Sequence, residues 1–250
     1  SGCVEDIGPD TLHLLPPGLD ASGFPSLEVS QETVRLGPVI SRPGKVLCVG
    51  LNYRAHVKEA GAPLPEEPVL FLKSPTSLSG ARDDVNLPSW SSSLDWEVEL
   101  CVVIARRAKD VHPDDALAHV FGFAVGNDLS DREIQLDHGG QWTKGKSADG
   151  FAPLGPYIVT PDEIDHVQAL RLWTHVNGQM VQSGSTADMI FSVADIIAYA
   201  SKLMTLEPGD VIMTGTPEGC AMGQKNPPWL KPGDLVEVTV DEAGEYDLWR

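Results

Sequence analysis

Short apolar runs dominate the chain, and few of them have helical spacing. Residues 46–49 and 69–72 read as short buried strands. The longest strand pattern covers residues 97–104. Glu97-Val98-Glu99 alternates, then passes into the continuous apolar run 100–104, which predicts burial on both faces. Residues 120–125 follow, punctuated by Gly122 and Gly126. Residues 170–176 alternate and end in Asn177-Gly178, a strong hairpin signal. Residues 211–213 and 235–240 read as closing strands, each preceded by a Pro-Gly-Asp turn. Helical patterns are predicted over residues 113–120, with Pro113 at the first helical position and acids behind it, and over 192–204. In the second, Ser192 is the candidate N-cap, and Ile196, Ile197, Tyr199, Ala200 and Leu203 fall at helical spacing. Strands outnumber helices and do not alternate with them. The expected fold class is therefore α+β, mainly β, and not a doubly wound nucleotide-binding sheet. Residues 1–43 are rich in Pro, Gly and Ser and read as a small N-terminal segment or subdomain; residues 44–250 form the main domain.

Composition narrows the function classes. The 250 residues carry 36 acidic and 18 basic side chains, a formal charge of −18. A field of that sign repels phosphate backbones and anionic bilayers, so neither nucleic acid nor membrane is an expected partner. A small anionic substrate stays compatible, because a local cation overrides the global field. No apolar run approaches the roughly 20 residues of a membrane span. The cysteines Cys3, Cys48, Cys101 and Cys220 are scattered without a CxxC pair, which argues against a thiolate zinc site and for a reduced, cytoplasmic setting.

Five stretches could carry chemistry. On a strand, Asp95, Glu97 and Glu99 share one face. Adjacent carboxylates on one face need a cation, and oxygen-only ligands favour Mg²⁺, Mn²⁺ or Ca²⁺, although acidic alternation is also the mark of a solvated strand face. In residues 126–135, Asp128 could be a further oxygen ligand. Arg132 and Gln135, three apart, would share a helical face and could clamp a carboxylate; helix capping and surface ion pairing explain the stretch equally well. Gly140-x-x-x-x-Gly145-Lys146-Ser147 is a literal phosphate-loop string. It follows a polar stretch and runs into Gly150, Pro153, Gly155 and Pro156, so the nucleotide reading is rejected and Lys146 is left as a candidate for stabilising an enolate. His56 and Glu59, three apart, would pair on one helical turn as a general base, or as an ordinary surface pair. Finally, residues 213–219 place Thr214 and Thr216 in a Gly-containing turn able to bind a carboxylate, or in an ordinary tight turn.

Taken in order, these stretches resemble the fumarylacetoacetate hydrolase family. The resemblance runs over roughly residues 45–240: Val49-Gly50-Leu51-Asn52-Tyr53 with His56 and Glu59, residues 68–73, Glu97-x-Glu99-Leu100, Asn127-Asp128 with Arg132 and Gln135, Lys146-Ser147, Asn177-Gly178, residues 189–192 and Thr214-Gly215-Thr216-Pro217. It implies the family's mixed β-sandwich roll as a catalytic domain over residues 44–250, in homodimers or sometimes tetramers. It implies Mg²⁺ or Mn²⁺ held by Glu97, Glu99 and Asp128. Arg132, Gln135, Lys146 and Thr216 would hold the pyruvate-like end of an oxo-acid substrate, and His56 with Glu59 would activate water from a lid. Residues 139–146, 151–156 and 222–234 are similar to a subgroup that includes 2,4-diketo-3-deoxy-sugar-acid hydrolases (L-rhamnonate type), often labelled ureidoglycolate lyases. Asp131 and Glu133 depart from the Ala-Arg-Asp of many relatives, and Ala148 stands where an aromatic is common. The implied reaction is hydrolysis of the C3–C4 bond of an acylpyruvate. Oxaloacetate decarboxylation, or tautomerisation or dehydration of a related oxo acid, is the alternative at the same site, and a non-catalytic small-acid or metal-binding protein is the rival from another class.

Overall fold

The computed structural model describes residues 35–240 and, ahead of them, the backbone of three strands. Those strands, β1 (Cys3–Gly8), β2 (Thr11–Leu15) and β3 (Leu27–Ser30), pair antiparallel in that order. The chain continues through β4 (Val46–Gly50), helix α1 (Arg54–Glu59), β5 (Val69–Lys73), β6 (Leu78–Ser79), β7 (Leu94–Asp95) and β8 (Val98–Ile104). Helix α2 (Pro113–Ala116), β9 (Val120–Asn127), β10 (Ser130–Asp131), α3 (Thr143–Lys146), β11 (Ala152–Pro153) and the hairpin β12 (Arg171–Val176) and β13 (Gln179–Ser185) follow. Helix α4 (Val193–Leu203), β14 (Val211–Met213) and β15 (Val236–Val240) close the described chain.

The central sheet has the order β5-β4-β14-β8-β9; only β4 and β14 run parallel. Alternation along its strands divides the apolar side chains between two faces. Val98, Leu100, Val102 and Ile104 of β8 join Leu47, Val49, Phe123, Val125 and Ile212 on the first face. That face packs on Leu172, Val238 and Val240 of the sheet β13-β12-β15 and on Ile196, Ile197 and Ala200 of α4. The second face holds Val46, Cys48, Cys101, Ala124, Val211 and Met213 beneath Ala152 and Leu154. The result is a mainly β fold of mixed sheets with few helices, as its sequence pattern requires.

Local rules explain most boundaries. Ser192 and Asp195 form a reciprocal capping box on α4. Asn177 and Gly178 both take positive φ, 52° and 77°, the combination a two-residue hairpin turn demands. Two helical expectations shorten. The pattern over 113–120 gives α2 only to Ala116, then a 3₁₀ turn to His119, because β9 already begins at Val120. After Asp128 no α-helix follows. Residues 130–131 pair with β7, and only a π-helical turn, Glu133–Asp137, remains to bring Arg132 and Gln135 together.

Candidate active site

The strand pair β8–β9 builds the acidic centre. Its register sets Val98 opposite Asn127 and Glu99 opposite Gly126, so Asp128, one residue beyond β9, falls beside Glu97. The junction is tied by Asp128 N donating to Glu97 O at 2.9 Å and Glu97 N donating to Asn127 Oδ1 at 2.9 Å. One carboxylate oxygen from each of Glu97, Glu99 and Asp128 lies within 4.8 Å of the others, and all three residues are buried. Solvated-face carboxylates would be exposed, so that alternative fails here. The donor set is all oxygen, which fits a hard divalent cation of the Mg²⁺ or Mn²⁺ class.

Three buried cations surround these acids. Lys146 Nζ donates to Glu97 Oε2 at 2.8 Å, Asp128 Oδ2 at 2.7 Å and Ser130 Oγ at 2.6 Å. Lys73 Nζ reaches Asp128 Oδ1 at 2.5 Å, and Arg132 Nη2 reaches Glu97 Oε1 at 2.6 Å. Burial alone would raise the Glu97 acid; Lys146 and Arg132 outweigh it and hold this carboxyl well below the usual range. Glu99 goes the other way. Burial, then the charges of Asp128 and Glu97, push its carboxyl well up, and the Gly215 amide, donating to Oε2 at 2.8 Å, offsets only part of that. Lys146 is held above its ordinary value, because Asp128 and Glu97 outweigh its burial.

The dyad sits on α1. His56 Nδ1 lies 3.2 Å from Glu59 Oε2. A carboxylate only accepts, so Nδ1 is the donor in this pair. The Gly219 amide donates to Glu59 Oε1 at 3.0 Å and anchors the helix to the 217–223 loop. A donor atom of His56 lies within 4.8 Å of a Glu97 carboxylate oxygen, which sets the imidazole against the acidic centre.

The structure thus brings together nearly every predicted residue. Arg132 Nη1 donates to Gln135 Oε1 at 3.0 Å. Thr216 is buried on the turn after β14 and accepts from Gln182 Nε2 at 2.9 Å. Gly145, before Lys146, packs so closely that a Cβ would lie 2.5 Å from Asp131 O; this backbone contact, with a one-turn α3, leaves no long helix for a phosphate loop. Asp95 shares the neighbourhood but not the predicted role. It is fully buried, and its oxygens accept from Arg132 Nε, Trp96 N, Ala221 N and Met222 N. Among residues given no role in advance, Lys73, Gln182 and Cys220 stand out. Cys220 Sγ is 3.9 Å from His56 Nδ1 and accepts from Gln182 Nε2 at 3.6 Å. Only Lys73 left a trace in the sequence, as a charge closing an apolar strand.

Residues 45–247 match the family described as Fumarylacetoacetate (FAA) hydrolase C-terminal. A Burkholderia multivorans protein, whose name proposes only that it is a hydrolase, is 49% identical over 212 residues, 84% of this chain and 75% of its own. Two solved structures are similar. Fumarylacetoacetate hydrolase from Exiguobacterium antarcticum shares 40% identity at a TM-score of 0.77, covering 86% of this chain and 77% of its own. The 5-carboxymethyl-2-hydroxymuconate delta-isomerase from Mycobacterium smegmatis shares 37% at a TM-score of 0.79, covering 96% and 89%. With the family match over residues 45–247 and relatives of this identity and coverage, this chain belongs to the fumarylacetoacetate hydrolase family of enzymes.

Proposed function

We propose that the protein is a divalent-metal-dependent hydrolase that cleaves the C3–C4 bond of an acylpyruvate. The observation that carries this reading is the His56–Glu59 pair, 3.2 Å apart, set against the Glu97 carboxylate. Decarboxylation needs no activated water; hydrolysis does. A Mg²⁺ or Mn²⁺ ion held by Glu97, Glu99 and Asp128 would supply positive charge for the oxo-carboxylate end and for the enolate. Arg132, Gln135 and Thr216 orient that end. His56 Nε2 takes a proton from water while Glu59 steadies the imidazolium through Nδ1–H. The water oxygen bonds to C4. The C3–C4 bond breaks, and its electron pair passes to the pyruvyl fragment as an enolate. Lys146 Nζ stabilises that developing charge, and protonation at C3 yields pyruvate beside a carboxylic acid.

The sugar-acid subgroup motifs make a 2,4-diketo-3-deoxy sugar acid the substrate class of first choice, and the family makes a homodimer or tetramer the expected assembly. Among the described residues no helix is long and apolar enough to cross a membrane. A second reading, isomerisation of an unsaturated oxo acid, draws support from the isomerase name of one similar structure. It would use the same base to move a proton within the substrate. Acylpyruvates, a 2,4-diketo-3-deoxy sugar acid and oxaloacetate are incubated with Mg²⁺ or with EDTA, and enol absorbance and products are followed. Metal-dependent formation of one pyruvate and one acid supports hydrolysis. Loss of enol absorbance without pyruvate refutes it in favour of isomerisation, and CO₂ release from oxaloacetate alone refutes it in favour of decarboxylation.

A further inference from the structure

The acidic centre has a second, softer donor set on the side of helix α1. One donor atom from each of His56, Glu97 and Cys220 lies within 4.8 Å of the other two, and all three residues are buried. The set is nitrogen, oxygen and sulfur, which suits Zn²⁺ and not Mg²⁺. A tetrahedral zinc with bonds of about 2.0–2.3 Å separates its donors by about 3.3–3.6 Å, so donor atoms that lie within 4.8 Å of one another close on one ion with small side-chain movements. The neighbours needed to steady such ligands are in place. Glu59 faces the imidazole at 3.2 Å, and Gln182 Nε2 donates toward Sγ at 3.6 Å. Arg132 and Lys146 engage Glu97, yet a carboxylate has about four acceptor positions, so these contacts leave it coordination capacity.

We infer that His56, Glu97 and Cys220 form a zinc site that overlaps the catalytic centre and switches it off. A neutral imidazole has one lone pair, and coordination consumes it. His56 bound to zinc therefore cannot take a proton from water. Glu97 is shared with the oxygen triad, so the two ions also compete for one carboxylate. Zinc binding at this site makes the enzyme responsive to a metal that its own chemistry does not require.

Cobalt tests the site without reference to any substrate. The whole chain, reduced and freed of metal by chelation, is titrated anaerobically with Co²⁺ in excess Mg²⁺. A thiolate-to-cobalt charge-transfer band in the near ultraviolet is expected for the wild type and is expected to vanish in Cys220→Ser, with circular dichroism confirming that the variant folds. No band in the wild type overturns the inference, as does a band undiminished in Cys220→Ser or in Cys220→Ala. In a turnover assay with excess Mg²⁺, Cys220→Ser is expected to need at least tenfold more Zn²⁺ for half-inhibition; equal sensitivity of the two proteins overturns the inhibitory role. The spectral result stands whatever reaction the enzyme performs.

Discussion

Asp95 offers the sharpest test of how the site is held. Its two oxygens accept from Arg132 Nε at 2.8 Å, Ala221 N at 2.7 Å, Trp96 N at 2.9 Å and Met222 N at 3.1 Å, with no exposed surface. Asp95→Ala strands one guanidinium donor and three backbone amides. Removing one partner of a buried ion pair costs about 3–5 kcal/mol, and buried unpaired amides keep the figure at the upper end. At about 2–4 °C per kcal/mol for a chain of this size, Tm falls by about 6–20 °C. Asp95→Asn keeps one acceptor for the amides but turns an NH₂ toward Arg132 Nε, so its loss is intermediate. Arg132 stays tied to Glu97 at 2.6 Å and Gln135 at 3.0 Å, so the guanidinium pivots and does not leave. KM for the oxo acid is therefore expected to rise more than kcat falls. The assays are thermal unfolding by calorimetry and steady-state kinetics on both variants. A Tm shift below about 3 °C for Asp95→Ala, outside that range, would refute the argument that this carboxylate locks the clamp to the 219–223 loop.

Three further outcomes follow from local geometry. A Cβ at Gly223 would lie 2.2 Å from Glu59 Cγ, so Gly223→Ala pushes Glu59 off His56; turnover should drop at least tenfold while Tm, read by calorimetry, stays within a few degrees. At Gly145 the neighbours are backbone, Asp131 O at 2.5 Å and Gln135 N at 2.6 Å, so Gly145→Ala should lose about 1–3 kcal/mol in urea unfolding as well as activity. Asp131 accepts from Ser91, Ser93 and Ile134; burial would raise its acid, and these bonds outweigh it and hold it low. A lowered folded pKa stabilises above the unfolded value, so Asp131→Asn should destabilise at neutral pH, and its gap from wild type should close as pH falls below 3.8 in equilibrium unfolding.

The strands were legible because burial on two faces leaves a period in the sequence. The run after Glu99 and the Asn177-Gly178 turn needed no partner to be read. The dyad was legible too, since His56 and Glu59 are three apart on one turn. The counter-charges were not. Lys73 at the end of an apolar strand looks like a side chain reaching for solvent, and only the fold shows Asp128, 55 residues away, waiting for it. Strict alternation groups Asp95 with Glu97 and Glu99. In the fold Asp95 ends β7, and its oxygens are taken up by Arg132 Nε and three backbone amides. Cys220 gave no ligand spacing because its neighbours His56 and Glu97 come from two distant elements.

Charge balance at the centre leads to a last expectation. Asp95, Glu97, Glu99 and Asp128 face Arg132, Lys146 and Lys73, so the cations do not cancel the acids. Glu99 absorbs the mismatch. It contacts none of the three cations; its hydrogen bond is to the Gly215 amide, and its carboxyl is pushed well up by burial, then by Asp128 and Glu97. An acid whose folded pKa is raised stabilises the metal-free protein on the acidic side, and that contribution is lost as pH rises through the folded value. A divalent ion reverses the sign, because it needs the carboxylate and displaces its proton. Mg²⁺ affinity should therefore fall as pH is lowered, and titration in weakly buffered solution should release protons. Glu99→Gln removes the misfit acid and the ligand together: the metal-free variant should match or exceed wild type in Tm at alkaline pH while losing Mg²⁺ binding by calorimetry. A variant that still binds Mg²⁺ with wild-type affinity, or wild-type binding that releases no proton at any pH, would show that Glu99 is not where the ion's charge is received.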